Sequence, residues 1–426
     1  MRYRSRLAPL WFISLLLALG AAVAQATPLP VAAPADAGVS AARLDAWHAR
    51  LDRFVDEGKY AGYVVLLARD GKLVDWHAHG WQDVSARTPM QRDSIVQIYS
   101  MTKIITSVAV LTLLEDGKLK LDDPVEKFLP ALKNRQVLTG GTADAPELTP
   151  ATRPLTVHDL LTHMAGYYYD GDWSAGSPVA VELFNRAAIW SATNLDDFVA
   201  RVAKLPLRDQ PGTRFRYGIN IDLLGAIIEK ASGQRLDLYF RTRLFEPLGM
   251  VDTGFSVPRE KAHRLAKTYT RDASGRLQPA PSLFGTEASE QPGLLSGGGG
   301  LRSTAADYAR FAQMLLNGGQ LDGVRVLSRK TVELMTANHI AHLADPHPFS
   351  NPALGFGLGV RIVTDLGRSP TLGSPGMFGW DGAATTLVWM DPKERTVAIL
   401  LTQHFPYNED DIFSFFINGY QAALSN

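Results

Sequence analysis

Ser100 and Lys103 stand three residues apart where a β-prone stretch, Val96 to Tyr99, gives way to the apolar run Ile104 to Leu114. Ile104, Val108, Leu111 and Leu114 recur at intervals of three and four, so the spacing predicts a helix beginning near Ser100, and Glu115-Asp116-Gly117 supplies its stop. On such a helix the two side chains share one face, with the hydroxyl in the first turn, where unpaired N–H groups and the helix dipole favour an oxyanion. A serine hydroxyl is a poor nucleophile until a neighbouring base removes its proton, and a lysine is that base when burial or nearby positive charge lowers its pKa. Lys103, one turn into an otherwise apolar helix, is a candidate for the role. A serine at a helix start is also a common N-cap, so the pair gains its weight from what accompanies it.

A third group comes from Pro211 to Asn220, a turn leading into a helix over Ile221 to Ala231 closed at Ser232-Gly233. Tyr217 stands just before that helix, where a phenol can project into a cleft instead of a core. Gly297 to Gly300 lack the lysine and the strand-to-helix setting of a phosphate loop and read as close backbone packing; Ser303 to Asp307 then has the order of a capping box. His163 has His158 five positions away and off its face, so a structural role is expected. His339, His342, Asp345 and His347 share one polar stretch, but Pro346 and Pro348 break any regular ligand face, and neither metal nor cofactor is expected. Tyr167, Tyr168, Tyr169 and Trp173 sit on one loop, as packing or at a pocket mouth.

The elements that must position these groups follow from pattern. Ser40 caps an amphipathic helix (Leu44, Trp47, Leu51, Phe54, Val55) that ends at Glu57-Gly58, and two β-rich runs flank Asp70-Gly71, a hairpin signal. Residues 139–154 read as a polar loop and 178–250 as mainly helical. The last third is β-rich: Gly357 to Thr364, a long strand Gly379 to Met390, a turn at Asp391-Pro392, a strand Thr396 to Gln403, then a helix over Asp410 to Leu424. Strands at both ends and helices between imply an α+β fold: an antiparallel sheet built from both termini, flanked by helices, with a mainly helical insertion.

Residues 1–26 read as a secretory signal: Arg2, Arg4 and Arg6, an apolar run Trp11 to Val23, and the small-x-small site Ala24-Gln25-Ala26. Residues 27–39, rich in Ala and Pro, read as a flexible linker, and 40–426 as one domain, with an α/β lobe at about 40–98 and 296–426 and a helical lobe at about 99–295. The expectation is an exported chain with no stable membrane insertion after the signal is removed. The absence of cysteine excludes disulfides and a cysteine nucleophile together. With 43 basic and 43 acidic residues and no basic run, nothing points to nucleic acid.

Together, Ser100-x-x-Lys103, Tyr217 in Pro211-Gly212-Thr213-x-Phe215-x-Tyr217, the run Gly298 to Thr304, and Gly379-Trp380-Asp381-Gly382 resemble the serine β-lactamase and penicillin-binding-protein superfamily, nearest to class C β-lactamases and family VIII carboxylesterases. The resemblance spans residues 40 to about 405 and implies a β-lactamase/transpeptidase-like fold. It implies Ser100 as acyl-accepting nucleophile, Lys103 as its proton partner, Tyr217 as second acid and base, and the backbone N–H groups of Ser100 and Ala383 as the oxyanion hole. Where penicillin-recognising relatives present Lys or His at the start of the late-strand motif, this chain has Trp380, with Asp381 after it; and the Asn expected two residues after Tyr217 is displaced to Asn220. A β-lactam carboxylate wants a cation there, so both departures favour esters. The resulting expectation is a secreted serine hydrolase taking a small-molecule ester or amide substrate, a carboxylesterase on small or medium acyl esters, with Trp380, Asp381, Gly382, Phe378 and Tyr168 forming the pocket. β-Lactamase or D-amino-acid peptidase activity of the same site is the alternative, and a non-catalytic peptidoglycan- or peptide-binding protein is the alternative from another class.

Overall fold

Tight turns of positive φ set the sheet. In the computed structural model, which describes residues 28–282, 292–346 and 348–425, Asp70 (φ 55°) and Gly71 (φ 74°) reverse the chain between β1 (Gly62–Arg69) and β2 (Lys72–Asp83). This is the hairpin the Asp-Gly pair predicts, because left-handed turn residues match the twist of adjacent strands. A short β3 (Thr88–Pro89) edges β2. From the far end of the chain come β4 (Leu354–Phe356), β5 (Arg361–Val363), β6 (Phe378–Gly382), β7 (Thr386–Asp391) and β8 (Thr396–Thr402). The strands lie in the order β4-β5-β6-β7-β8-β1-β2-β3, and β8 closes on β1 in antiparallel register from Tyr63 opposite Thr402 to Arg69 opposite Thr396. The sheet is therefore built from both ends of the chain, as expected.

Helices cover both faces. On one face lie α1 (Ala41–Asp56), whose N-cap Ser40 accepts the Arg43 N–H, and, at the other end of the chain, α5 (Ile412–Ala423); Trp47, Leu51, Phe416 and Tyr420 pack there with Val65 and Leu67 of β1. On the other face Val64 and Leu66 pack into a core shared with α2 (Thr102–Glu115), α3 (Asn220–Ser232) and α4 (Ala305–Leu316). Helix α2 is apolar all round, and Ile104, Val108 and Leu111 are fully buried; a helix with no polar face must sit at the centre. Further short helices fill much of residues 157–264. Among the described residues no helix is long and apolar enough to cross a membrane.

Three expectations need correction. The stretch Gly379 to Met390 is not one strand but the hairpin β6–β7, reversed at Ala383-Ala384-Thr385 with Thr385 at φ 60°; Gly382 opens the turn, accepting the Thr385 N–H, but the left-handed backbone falls on Thr385, where residue type does not announce it. Residues 139–154 are not simply loop, because Gln136–Gly141 pairs with Pro146–Pro150. Nor are residues 28–39 a flexible lead: Leu29 and Val39 are buried, Leu73 N–H donates to Pro30 O at 2.7 Å and Ala32 N–H to Leu73 O at 2.9 Å. Proline removes donors yet suits the edge of a sheet. The secretory signal expected over residues 1–26 lies outside the described residues.

Candidate active site

The nucleophile candidate sits on a sharp turn. Tyr99 holds a φ of 42°, left-handed for a bulky residue, and Ser100 follows in a 3₁₀ turn (Tyr99–Met101) before α2 begins at Thr102. The α-helix thus starts two residues after the position its periodicity suggests. Left-handed backbone at such a residue costs on the order of 1–3 kcal/mol and persists where the surroundings over-determine it. Here they do: the end of β6 presses on the preceding segment, so that a Cβ on Gly382 would collide with the Ile98 carbonyl oxygen, and Thr386 Oγ1 donates to that carbonyl at 3.3 Å. Ala383 follows Gly382 directly, which brings the late-strand backbone to the Ser100 turn. Gly382→Ala is expected to push β6 off this turn and lower kcat/KM by about 100-fold, the usual cost of a displaced oxyanion donor, measured on p-nitrophenyl acetate.

Lys103 is buried, with three acceptors around Nζ: Gly298 O at 2.6 Å, Ser100 Oγ at 3.0 Å and Tyr169 OH at 3.1 Å. A carbonyl can accept but not donate, so one N–H is committed to Gly298. The two hydroxyls can each donate or accept, so Ser100, Lys103 and Tyr169 form one continuous hydrogen-bonded line. The glycine run is strapped to α2 by Thr106 Oγ1, which donates to Gly297 O at 2.6 Å, and to α3 by Asp222. Asp222 Oδ1 accepts the Gly298 N–H at 3.0 Å and the Ser296 hydroxyl at 2.5 Å, and a Cβ on Gly298 would collide with its carboxylate. Burial raises the Asp222 pKa, with the nearby Lys103 charge pulling it back. The glycines are therefore close packing, as expected from sequence, and their tightness aims a carbonyl at Lys103.

Tyr217 is half-buried beside the same amine, its ring centroid 4.9 Å from Lys103 Nζ. Trp380 Nε1 donates to the Tyr217 hydroxyl at 3.3 Å. His163 backs the ring at 4.8 Å between centroids; burial holds this imidazole well below its ordinary pKa, and Asn220 Nδ2 bonds its Nδ1 at 2.9 Å. His163 and Asn220 thus support Tyr217 from behind. Tyr169, Trp173 and Phe349 surround Tyr217 at 5.5, 6.1 and 5.5 Å between ring centroids, and Trp173 and Phe349 are exposed at the mouth.

Of the pocket residues expected from sequence, Trp380 and Gly382 lie at the site. Asp381 points to Arg361, with which it is ion-paired at 2.6 Å; successive strand side chains face opposite ways, so Trp380 and Asp381 cannot share the pocket. Phe378 is buried in the core opposite Ile362 and Met390. Tyr168 is likewise buried, packed on Phe184; its neighbour Tyr169 is the tyrosine that reaches Lys103. Sequence reasoning missed Asp222 and Phe349 as well. Asp222 leaves a faint signal, an acid inside an apolar helix start; Phe349 leaves none.

His158 and His339 meet, Nε2 to Nδ1, at 3.1 Å, and His339 Nε2 contacts Leu334 O at 2.8 Å, so both His339 nitrogens are engaged; His347 lies outside the described residues. A cavity of about 610 Å³ is lined by Arg235, Phe245, Met250, Phe255 and Lys261. It borders neither Ser100, Lys103 nor Tyr217.

The family model described as Beta-lactamase matches residues 47–415. Protein Rv1367c of Mycobacterium tuberculosis (strain ATCC 25618 / H37Rv) is 35% identical over 370 residues, covering 85% of this chain and 90% of that protein. Esterase EstB of Burkholderia gladioli is 33% identical over 394 residues, covering 88% and 93%. The solved structure of EstCE1, described as a hydrolase with promiscuous acyltransferase activity, aligns with a TM-score of 0.75 at 26% identity, covering 90% of this chain and 99% of that one.

Proposed function

This chain belongs to the beta-lactamase family, a serine hydrolase superfamily with esterase and acyltransferase members, and from that premise we propose that it is an exported carboxylesterase working through a covalent acyl-enzyme on Ser100. The observation that carries the reading is the 3.0 Å contact between Lys103 Nζ and Ser100 Oγ with the Tyr217 ring 4.9 Å from the same nitrogen. Ser100 Oγ attacks the ester carbonyl carbon while its proton passes to Lys103 or Tyr217, and the backbone N–H groups of Ser100 and Ala383 stabilise the oxyanion. Collapse breaks the bond to the alcohol, which leaves with a proton from Tyr217. Water, deprotonated by Tyr217, then cleaves the acyl-Ser100 ester and restores the enzyme.

The late strand supports esters over lactams. It presents the Trp380 indole, and the Arg361 guanidinium beside that ring, 5.1 Å away, is ion-paired with Asp381. A β-lactam carboxylate would meet an aromatic wall there, and the Arg361 charge behind it is already neutralised by Asp381, whereas the exposed rings of Trp173 and Phe349 suit an apolar acyl chain. Named esterase activity in a relative 33% identical, EstB, agrees with this. The test is the ratio of kcat/KM for p-nitrophenyl acetate or butyrate to that for a chromogenic cephalosporin. A ratio above about 100, some 2.7 kcal/mol of transition-state preference, is expected; faster cephalosporin hydrolysis overturns the substrate class. Export is tested by fractionating the cells that make the full chain.

A further inference from the structure

On the sheet face opposite Ser100, three residues of α1 meet three of β2. His48, Asp52 and Asp56 recur at four-residue intervals, hence on one side of the helix, and Asp75, His77 and His79 at two-residue intervals, hence on one side of the strand. They pair rung by rung: His48 Nε2 to Asp75 at 2.9 Å, His77 Nε2 to Asp52 at 3.1 Å, His79 Nε2 to Asp56 at 2.8 Å. Tyr63 and Val65 of β1 lie opposite His79 and His77, and both belong to the core under α1, away from the one holding α2. None of these groups takes part in the acyl chemistry.

We infer that Asp52, His77 and His79 form a binding site for a divalent transition-metal ion of the Zn²⁺ class. One ligand atom of each lies within 4.8 Å of the other two. His79 turns its Nδ1 toward Asp52 Oδ1 at 3.7 Å, beyond hydrogen-bond range, while its Nε2 is occupied by Asp56. Two donors on a tetrahedral zinc at about 2.1 Å stand about 3.4 Å apart, and the 3.1 and 3.7 Å separations from Asp52 to His77 and His79 straddle that value. The surroundings already hold the donors in place: the Asp56 carboxylate fixes His79, the Tyr63 hydroxyl donates to Asp52 at 2.7 Å, and His48 stacks on His77 at 4.3 Å between centroids. Carboxylates and hydroxyls around first ligands are what orient imidazoles for metal. Two imidazoles and one carboxylate suit Zn²⁺, Co²⁺ or Ni²⁺ better than Ca²⁺ or Mg²⁺, which prefer all-oxygen cages. The three side chains are 26–34% exposed, so an ion reaches them without opening the fold, and a fourth position is left to water. Bound there, the ion ties α1 to β2.

The untagged protein, stripped with chelator, is titrated with Zn²⁺ by calorimetry at pH 7.5 and its thermal midpoint is followed. One ion per chain and a rise in Tm are expected, with affinity falling at least about 100-fold in His77→Ala/His79→Ala and, as a nearly isosteric check on folding, in Asp52→Asn. The variants should keep wild-type turnover of p-nitrophenyl acetate, since the ion sits across the sheet from Ser100. No saturable binding by the wild type, or equal affinity in variants that retain turnover, overturns the site.

Discussion

Replacing Ser100 with alanine is expected to lower kcat/KM for p-nitrophenyl esters by on the order of 10⁴-fold or more, with Tm nearly unchanged. The size follows from what remains. Lys103, Tyr217 and the strand backbone stay in place, so substrate still binds and a polarising hole persists, but no atom can form the acyl bond, and the stepwise route is lost as a unit. Stability should hold because Ser100 is half-buried and its hydroxyl is one of three acceptors around Lys103, so truncation leaves Gly298 O and Tyr169 OH in contact with the amine. The measurement is double: steady-state turnover, and intact mass after exposure to a fluorophosphonate. Wild-type protein should gain one adduct and Ser100→Ala none. An unlabelled wild type would favour the non-catalytic binder, and an adduct that survives the substitution would place the nucleophile elsewhere.

The parts of this site that were legible from sequence are those whose chemistry and period coincide. Ser100 and Lys103 stand out as candidates because their three-residue spacing falls at the start of a helix so apolar that a lysine in it must have partners, and they gain their weight from the motifs that accompany them. Tyr217 is singled out by the resemblance carried in Pro211 to Tyr217, its place before α3 alone leaving it an ordinary half-buried tyrosine. The Asp70-Gly71 hairpin and the Ser40 cap were equally readable, since each depends on the local backbone alone. What escaped depends on neighbours far along the chain. Thr385 turns left-handed while its hydroxyl donates to His404 O at 3.2 Å and accepts the Asn408 N–H at 3.0 Å and its carbonyl accepts from Thr402 Oγ1 at 3.0 Å, and no local pattern announces those partners. In the run Tyr167-Tyr168-Tyr169 composition marks an aromatic loop but not which ring faces the amine; Tyr168 is turned inward against Phe184 and Tyr169 outward to Lys103. Asp381 follows Trp380 in sequence, but strand alternation turns it away from the pocket to Arg361 on β5, a partner no local pattern shows. The lead-in is likewise ordered by partners remote in sequence: backbone atoms of Leu73 and the side chain of Arg69, whose Nη1 donates to Ala37 O at 3.1 Å and Gly38 O at 2.8 Å.

Two phenols flank Lys103, and their removal should have different consequences. Tyr217→Phe is expected to reduce kcat by about 10³-fold, within the range for loss of a general acid–base group, whereas Tyr169→Phe should cost about tenfold. The distinction rests on where each hydroxyl is committed. Tyr169 OH is bonded to the amine at 3.1 Å, and burial pushes its phenol well above the ordinary range, with the Tyr217 and Asp222 charges adding to the effect, so it stays protonated and serves to hold Lys103. Tyr217 OH takes an N–H from Trp380 at 3.3 Å, and its ring lies 4.9 Å from Lys103 Nζ. It stands at the mouth formed by Trp173 and Phe349, where a leaving alcohol or an incoming water would pass. Loss of Tyr217 should therefore slow both halves of the reaction: the pre-steady-state burst of nitrophenol becomes slow, and deacylation slows with it. Loss of Tyr169 should leave the alkaline limb of the kcat profile where it is, because a phenol held protonated does not titrate there, and lower only its height. If Tyr169→Phe costs as much as Tyr217→Phe and shifts that limb, the acid–base role belongs to Tyr169, and the proton leaves Ser100 along the line of three hydrogen-bonded groups that ends on it.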